Sequence, residues 1–366
     1  MNTKINKNVR ENKLLILEII RFISSFAVII WHYNLFFFIE KNPDNILNEN
    51  LPFYSILKLF YNFGLEGVIV FWGISGFIFF WKYDDLISQK EISAKKFFIY
   101  RFSRLYPLHF LTLCLVGIFQ YFFFINQNYY FVYQINDFFH FILQIFLASN
   151  WGFEKGYSFN GPIWSVSVEI FAYLIFFLSL RKFGKSISIN IIIIIFCVLL
   201  RFLKLSNPIT DCLTMFFVCG TTALIYKSIQ VSSYRKIIYN LFLFLAITIP
   251  VIIINFKLYK YYHFIYIFEF FYIPLILFLS VKEFKILNKF RSLIEVIGNM
   301  TYSSYLLHFP TQLIISLFCV IFSIEINIYN QFFFIGYIFF IFMISYITYF
   351  SFEKPIQTYI RNYFSN

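Results

Sequence analysis

The sequence predicts an all-α fold, a polytopic transmembrane helical bundle of about ten spans with both termini cytoplasmic. Three observations carry this. Of the 366 residues, 60% are hydrophobic and only 13% are charged, whereas a soluble domain carries about 25% charged residues. Apolar runs of about 17–25 residues recur along the whole chain, each long enough to cross a bilayer as a helix. The Lys and Arg residues gather in alternate connections, the pattern that orients a membrane protein. This composition excludes an ordinary globular protein, and it excludes disorder, which needs low hydrophobicity and high charge.

The spans fall at 14–38, 64–82, 105–125, 163–181, 188–204, 212–228, 238–255, 264–281, 300–323 and 331–351. Lys4, Lys7, Arg10 and Lys13 precede the first. That run is too long for a signal-peptide core and lacks a small-residue cleavage site, so it reads as a retained span. The shorter apolar stretch 137–149 opens with Asp137 and His140, and its length suits an interfacial or re-entrant helix. With the N-terminus inside, 22 Lys/Arg lie in inside segments, seven lie outside and Arg21 lies within a span. Letting 137–149 span would flip every later loop and weaken that bias, so the charges favour ten. The chain reads as a single membrane domain, 1–366, with no soluble domain.

The net charge of +12 would suggest nucleic acid in a soluble protein. Here it follows from basic cytoplasmic loops, and no nucleic-acid partner is expected. Cys114, Cys197, Cys212, Cys219 and Cys319 are scattered through apolar segments without metal-ligand spacing, so they read as inert core thiols and no metal site is expected.

Ionisable groups inside apolar spans are expensive and are functional candidates by default. Arg21 and His32 lie eleven residues apart in one span. That spacing puts both on one helix face, about 16 Å apart, although Arg21 snorkelling inward and His32 sitting near the outer end would look the same. Glu169 stands in NGPIWSVSVE, where Asn160 suits an N-cap and Pro162 a first turn. Ser165 and Glu169 then share a face, and Glu169 is expected about 10 Å below the outer surface, at the level of His32. A carboxylate and an imidazole at one depth suit an acid–base pair, and a structural bridge suits them too. Thr301, Tyr305 and His308 form a polar stripe on an apolar helix, equally suited to catalysis and to interhelical hydrogen bonding. Lys95, Lys96, Arg101 and Arg104 cluster on the cytoplasmic side, where they can hold phosphates or serve only topology. Glu353 reads as structural.

Taken together, these residues give the chain a resemblance to acyltransferase family 3, the integral membrane O-acyltransferases. The matching patches are Arg21 with His32 (R-x10-H), FGLEGVIVFWGISGFIFF at 63–80, RFSRLYP at 101–107, WSVSVE at 164–169, YSSYLLH at 302–308 and FEKP at 352–355. They come in order and span nearly the whole chain. One patch departs: Glu66 precedes Gly67 and Val68, where the family carries an acidic residue soon after that pair.

The resemblance implies transfer of an acyl group, acetyl above all, from cytoplasmic acyl-CoA to a hydroxyl of a surface saccharide such as lipopolysaccharide, capsule or exopolysaccharide. Acyl-CoA is then a co-substrate and no cofactor is held. The partners are the saccharide, which a lipid can carry, and the bilayer, which would be a bacterial cytoplasmic membrane. His32 would be the base, Glu169 its orienter and Arg21 the group facing the thioester oxygen or CoA phosphates. Arg101 and Arg104 would bind the donor, and Trp164, Ser165, Tyr305 and His308 the substrate. Ser75 and Ser165 stay open as acyl carriers. Two other classes also use buried charges on many helices: a transporter or flippase for a polysaccharide precursor, and a non-catalytic assembly partner. No inverted repeat supports the first. Release of CoA from acetyl-CoA separates all three.

Overall fold

The structure is a computed structural model, and it describes residues 14–41, 43, 48–258 and 264–365. The basic start Lys4, Lys7, Arg10 and Lys13, and Lys260, lie outside the described residues. The fold is 79% helical, with no strand among the described residues.

In chain order the helices are α1 (Leu15–Trp31), α2 (Tyr54–Phe63), α3 (Glu66–Ser88), α4 (Ala94–Gln127), α5 (Phe138–Ile145), α6 (Trp164–Phe183), α7 (Ile187–Phe202), α8 (Pro208–Gln230), α9 (Arg235–Asn255), α10 (Phe264–Ile267), α11 (Ile273–Leu279), α12 (Lys285–Asn288), α13 (Arg291–Asn299), α14 (Thr301–Ile321), α15 (Gln331–Thr348) and α16 (Lys354–Ser365). A 3-10 run, His32–Ile39, extends α1, and π-turns Phe268–Tyr272 and Tyr349–Glu353 join α10 to α11 and α15 to α16.

Each of the ten expected segments is helical. Seven helices are long and apolar enough to cross a membrane, or eight if the bent pair Tyr54–Phe63 and Glu66–Ser88 is one span. The segments expected at 188–204 and 264–281 appear as the shorter apolar helices Ile187–Phe202 and Phe264–Leu279. α9 buries none of its side chains; Ile237, Leu241, Phe244, Ile247, Val251 and Ile254 are all exposed. An apolar helix with so little protein around it needs a hydrocarbon solvent.

The chain that reads as a single domain in sequence packs as two compact units. Unit one holds Met1–Arg21, Val68–Ile92 and Glu169–Gly298; unit two holds Phe22–Gly67, Ser93–Val168 and Asn299–Asn366. In unit one, α3, α6 and α8 meet through aromatic rings: Phe79 stacks on Tyr173 at 4.5 Å and Phe80 meets Phe176 edge-on at 4.8 Å. Glycines set that spacing. A Cβ on Gly76 would overlap the Phe216 carbonyl, and one on Gly220 would overlap the Phe80 ring. Buried charges are paired, as they must be. Lys227 Nζ donates to Asp84 at 2.7 Å and to the Phe80 carbonyl, and Arg201 donates to Asp211 at 2.9 Å and to Glu269, on a π-turn, at 2.5 Å.

Unit two is built around α14, with α4, the 3-10 run and α15 packed on it. Tyr33, Phe36, Phe334 and Tyr337 interlock on one side, and Leu113, Val116, Phe123, Phe131, Phe309 and Leu313 on the other. The stretch expected at 137–149 contributes only the eight residues of α5, too few to span. Its connection doubles back along α4. Gln120 brackets Phe131 with two hydrogen bonds, Nε2 to the carbonyl at 2.8 Å and Oε1 from the N–H at 2.9 Å. His109, eighteen residues before the end of α4 and thus about 27 Å along it, donates from Nε2 to the Gln144 carbonyl at 2.7 Å. Asp137 caps α5 through the His140 N–H and also accepts from His140 Nδ1. The bonds from the His140 N–H and ring hold the Asp137 carboxyl below its usual range, so the carboxylate and its cap persist through that range and are lost only as pH falls below it.

Gly76→Ala is expected to lower the melting temperature of the detergent-solubilised protein, by an amount equivalent to about 1–3 kcal/mol of overpacking. Gly336→Ala, where a Cβ meets nothing within 4 Å, is the control and should leave it unchanged. Equal melting temperatures for the two variants would contradict the packing described.

Candidate active site

His32 begins the 3-10 run, and its Nδ1 lies 2.9 Å from the Val28 carbonyl. A carbonyl only accepts, so Nδ1 carries the hydrogen and, in the neutral ring, Nε2 holds the lone pair. The backbone of its own helix thus orients this imidazole. Gln312 Nε2 donates to the His32 carbonyl at 2.8 Å and pins the turn from the side of α14.

The His308 ring lies 4.7 Å from that of His32, tilted by 47°. His308 is fully buried, and neither ring nitrogen makes a well-aligned hydrogen bond. One turn earlier, the Tyr305 hydroxyl lies 2.7 Å from the Pro162 carbonyl, to which it donates, and 2.7 Å from the Ser165 hydroxyl, which itself lies 3.3 Å from the same carbonyl. The Trp164 ring packs on Tyr157 at 6.2 Å. His32, His308, Tyr305, Ser165 and Trp164 therefore all belong to unit two, built from α1, α14 and the start of α6. Ser25 and Ser304 tie α1 to α14 by a 2.7 Å hydrogen bond beneath them.

Asn160 does not cap α6 with its side chain. A 3-10 turn, Gly161–Ile163, precedes the helix, and the Asn160 amide donates to Thr112 Oγ1 and to the Leu306 carbonyl, each at 3.1 Å. Proline explains the second bond. Pro310 inside α14 has no N–H for the carbonyl four residues back, and Asn160 replaces it. α6 accordingly starts beside Thr112, part-way along α4, rather than at its far end.

Arg101 and Arg104 lie in the second and third turns of α4, on unit two. Tyr302 donates to the Leu105 carbonyl at 2.6 Å, which sets the first turn of α14 beside them. Thr112, at the level of the Asn160 bridge, is eight residues or about 12 Å further along. Arg361 on α16 joins this basic face: it donates to Ser103 at 3.1 Å and lies 5.1 Å from the Tyr100 ring centroid. Glu353, in a π-turn, accepts from Ser303 at 2.6 Å.

Two expected site residues belong to unit one. Arg21 donates to Glu18 at 3.1 Å, and a Cβ on Gly298 would collide with that carboxylate. Glu169 lies on α6 within electrostatic range of Cys212. Ser75, also in unit one, lies 3.4 Å from the Tyr173 hydroxyl. Sequence reasoning missed Glu18, Gln312, Arg361, His109 and Gln144. Glu18 was visible as a second charge in an apolar span and Gln312 as the next polar residue on the His308 stripe; the others carry no local signal.

The family model of the acyltransferase domain of acyltransferase family 3 matches residues 14–354. The chain belongs to this family. It is a membrane acyltransferase. Comparison with curated proteins and with solved structures finds no match.

Tyr305→Phe should lower the melting temperature by the equivalent of about 1–3 kcal/mol, because the Pro162 carbonyl loses its shorter hydrogen bond and the Ser165 hydroxyl a buried neighbour. Circular dichroism should show unchanged helix content. An unchanged melting temperature would mean that this hydrogen-bonded corner contributes nothing to stability.

Proposed function

We propose that this acyltransferase moves an acyl group, acetyl in the simplest case, from cytoplasmic acyl-CoA to a hydroxyl of a cell-surface saccharide. The observation that carries the reading is the His32 geometry: Nδ1 is committed to Val28, Nε2 holds the lone pair, and a second imidazole lies 4.7 Å away. A saccharide hydroxyl ionises far above neutral pH and needs a base to attack. His32 Nε2 accepts its proton as the oxygen attacks the thioester carbonyl. The C–S bond then breaks, and the CoA thiolate recovers the proton. Two imidazolium rings this close would repel, so the pair holds one added proton at a time, and His308, like Tyr305, binds substrate.

Arg101 and Arg104 bind the anionic donor, and Arg361 adds to the same basic face. Arg21 meets the thioester oxygen or the CoA phosphates, with Glu18 holding the guanidinium. The family resemblance assigns Glu169 to the catalytic step. Trp164, Ser165 and Tyr305 bind substrate. The 22:7 charge bias supports cytoplasmic termini and a donor arriving from the cytoplasm, which suits a bacterial cytoplasmic membrane. The acceptor follows from the family resemblance: lipopolysaccharide, capsule or exopolysaccharide.

Purified protein in lipid nanodiscs, assayed for CoA release from acetyl-CoA, tests the division of labour. His32→Gln should abolish release, since an amide cannot act as base at neutral pH. Glu169→Gln should lower kcat at saturating donor. The Arg101→Ala, Arg104→Ala double variant should raise the KM for acetyl-CoA with little change in kcat, because a phosphate contact persists through ground and transition states. A wild-type rate for His32→Gln would make His32 a structural donor, and an unchanged KM in the double variant would make the arginines topology signals only.

A further inference from the structure

His109, Gln144 and Asn160, none of which the catalytic reading uses, are almost completely buried in unit two, at 0%, 1% and 0% exposure. Each has spent its hydrogen-bond donors on the protein. His109 Nε2 donates to the Gln144 carbonyl at 2.7 Å, Gln144 Nε2 to the Ser158 carbonyl at 2.9 Å, and Asn160 Nδ2 to the Leu306 carbonyl and to Thr112 at 3.1 Å. Because a carbonyl only accepts, these bonds fix both amide orientations and, in the neutral ring, the histidine tautomer. What remains is the opposite pole of each group: His109 Nδ1, Gln144 Oε1 and Asn160 Oδ1, all lone-pair acceptors and all without a partner.

The three belong to one network. His109 bonds Gln144 directly, and its own carbonyl accepts from Thr112, which in turn accepts from Asn160. Buried acceptors left open are destabilising unless something donates to them. The missing complement is a set of O–H donors. Phe141, one turn before Gln144, and Phe159, beside Asn160, meet edge-on with ring centroids 5.5 Å apart.

We propose that His109, Gln144 and Asn160 form a hydroxyl-binding subsite for a pyranose of the saccharide acceptor, each acceptor atom taking one sugar O–H. The assignment rests on the acyltransferase reading for its biological occupant, but its recognition chemistry stands by itself.

The test uses the purified full chain in detergent and methyl α-D-glucopyranoside, methyl α-D-galactopyranoside and methyl α-L-rhamnopyranoside as probes. Tetrahydropyran, the same ring without hydroxyls, is the control. At least one glycoside should raise the melting temperature saturably, and tetrahydropyran should not. His109→Phe and Gln144→Leu should each raise the apparent Kd about tenfold, the loss of one good hydrogen bond. If either variant does not fold, electron cryo-microscopy of the wild type with the stabilising glycoside decides: a pyranose on the three acceptors supports the subsite, and ordered water alone overturns it. No saturable shift, an equal shift with tetrahydropyran, or undiminished affinity in folded variants also overturns it. CoA release from acetyl-CoA on the same preparation keeps the two claims apart, since glycoside binding without release would remove the acyl-CoA donor reading and leave the subsite standing.

Discussion

One pattern recurs through the interior of unit two: many of its buried side chains that carry a hydrogen donor spend it on a backbone carbonyl. His32 donates to Val28, His109 to Gln144, Gln120 to Phe131, Gln144 to Ser158, Asn160 to Leu306, Tyr302 to Leu105, Tyr305 to Pro162, Gln312 to His32 and Tyr33 to Ile328. The reason is the solvent. Hydrocarbon offers no donors, so a carbonyl outside regular helix, or opposite a proline, must find one within the protein. Several of these carbonyls belong to the doubled-back connection between α4 and α6. That segment can lie beside α4 only because its backbone is satisfied in this way.

The chemistry is a by-product of the same pattern. A donor spent on a carbonyl leaves its group's acceptor pole facing elsewhere, so the bonds that hold the backbone also prepare lone pairs in a dry interior. His32 Nε2 is such a lone pair, 4.7 Å from a second imidazole. Unit one meets the same solvent differently, by pairing charges: Lys227 with Asp84, Arg201 with Asp211 and Glu269, and Arg21 with Glu18. Glu269 and Glu353 each reach their partners from a π-turn, where the extra residue per turn re-aims a side chain that regular helix would direct to a neighbouring face.

Hydropathy reports what lipid demands of each helix separately, and for that reason the helical segments and the class of the fold were legible. The polar stripe through Tyr305 and His308 was legible too, since helix period alone defines it. The partners along that stripe were not. Nothing local in GNMTYSSYLLHFP says that Pro310 leaves the Leu306 carbonyl open, or that an asparagine 146 residues earlier closes it. Asn160 looked like a cap because its neighbours Gly161 and Pro162 fit a helix start; the tertiary need for a donor overrode that local preference. Arg361 resembled one more cytoplasmic charge until α16 packed on α4. The division into two units had no signal either, because α1, α3 and α6 each contribute residues to both.

The most direct measurement of the account is the tautomer of its histidines. Nitrogen-15 solid-state NMR of the histidine-labelled protein in lipid, assigned with His32→Gln and His109→Gln, distinguishes the protonated from the bare ring nitrogen. Opposite tautomers are expected in the neutral rings: hydrogen on Nδ1 and a bare Nε2 for His32, and hydrogen on Nε2 with a bare Nδ1 for His109. The reverse assignment at His32 would place its lone pair toward the Val28 carbonyl and contradict both the donor-to-carbonyl pattern and the base that rests on it.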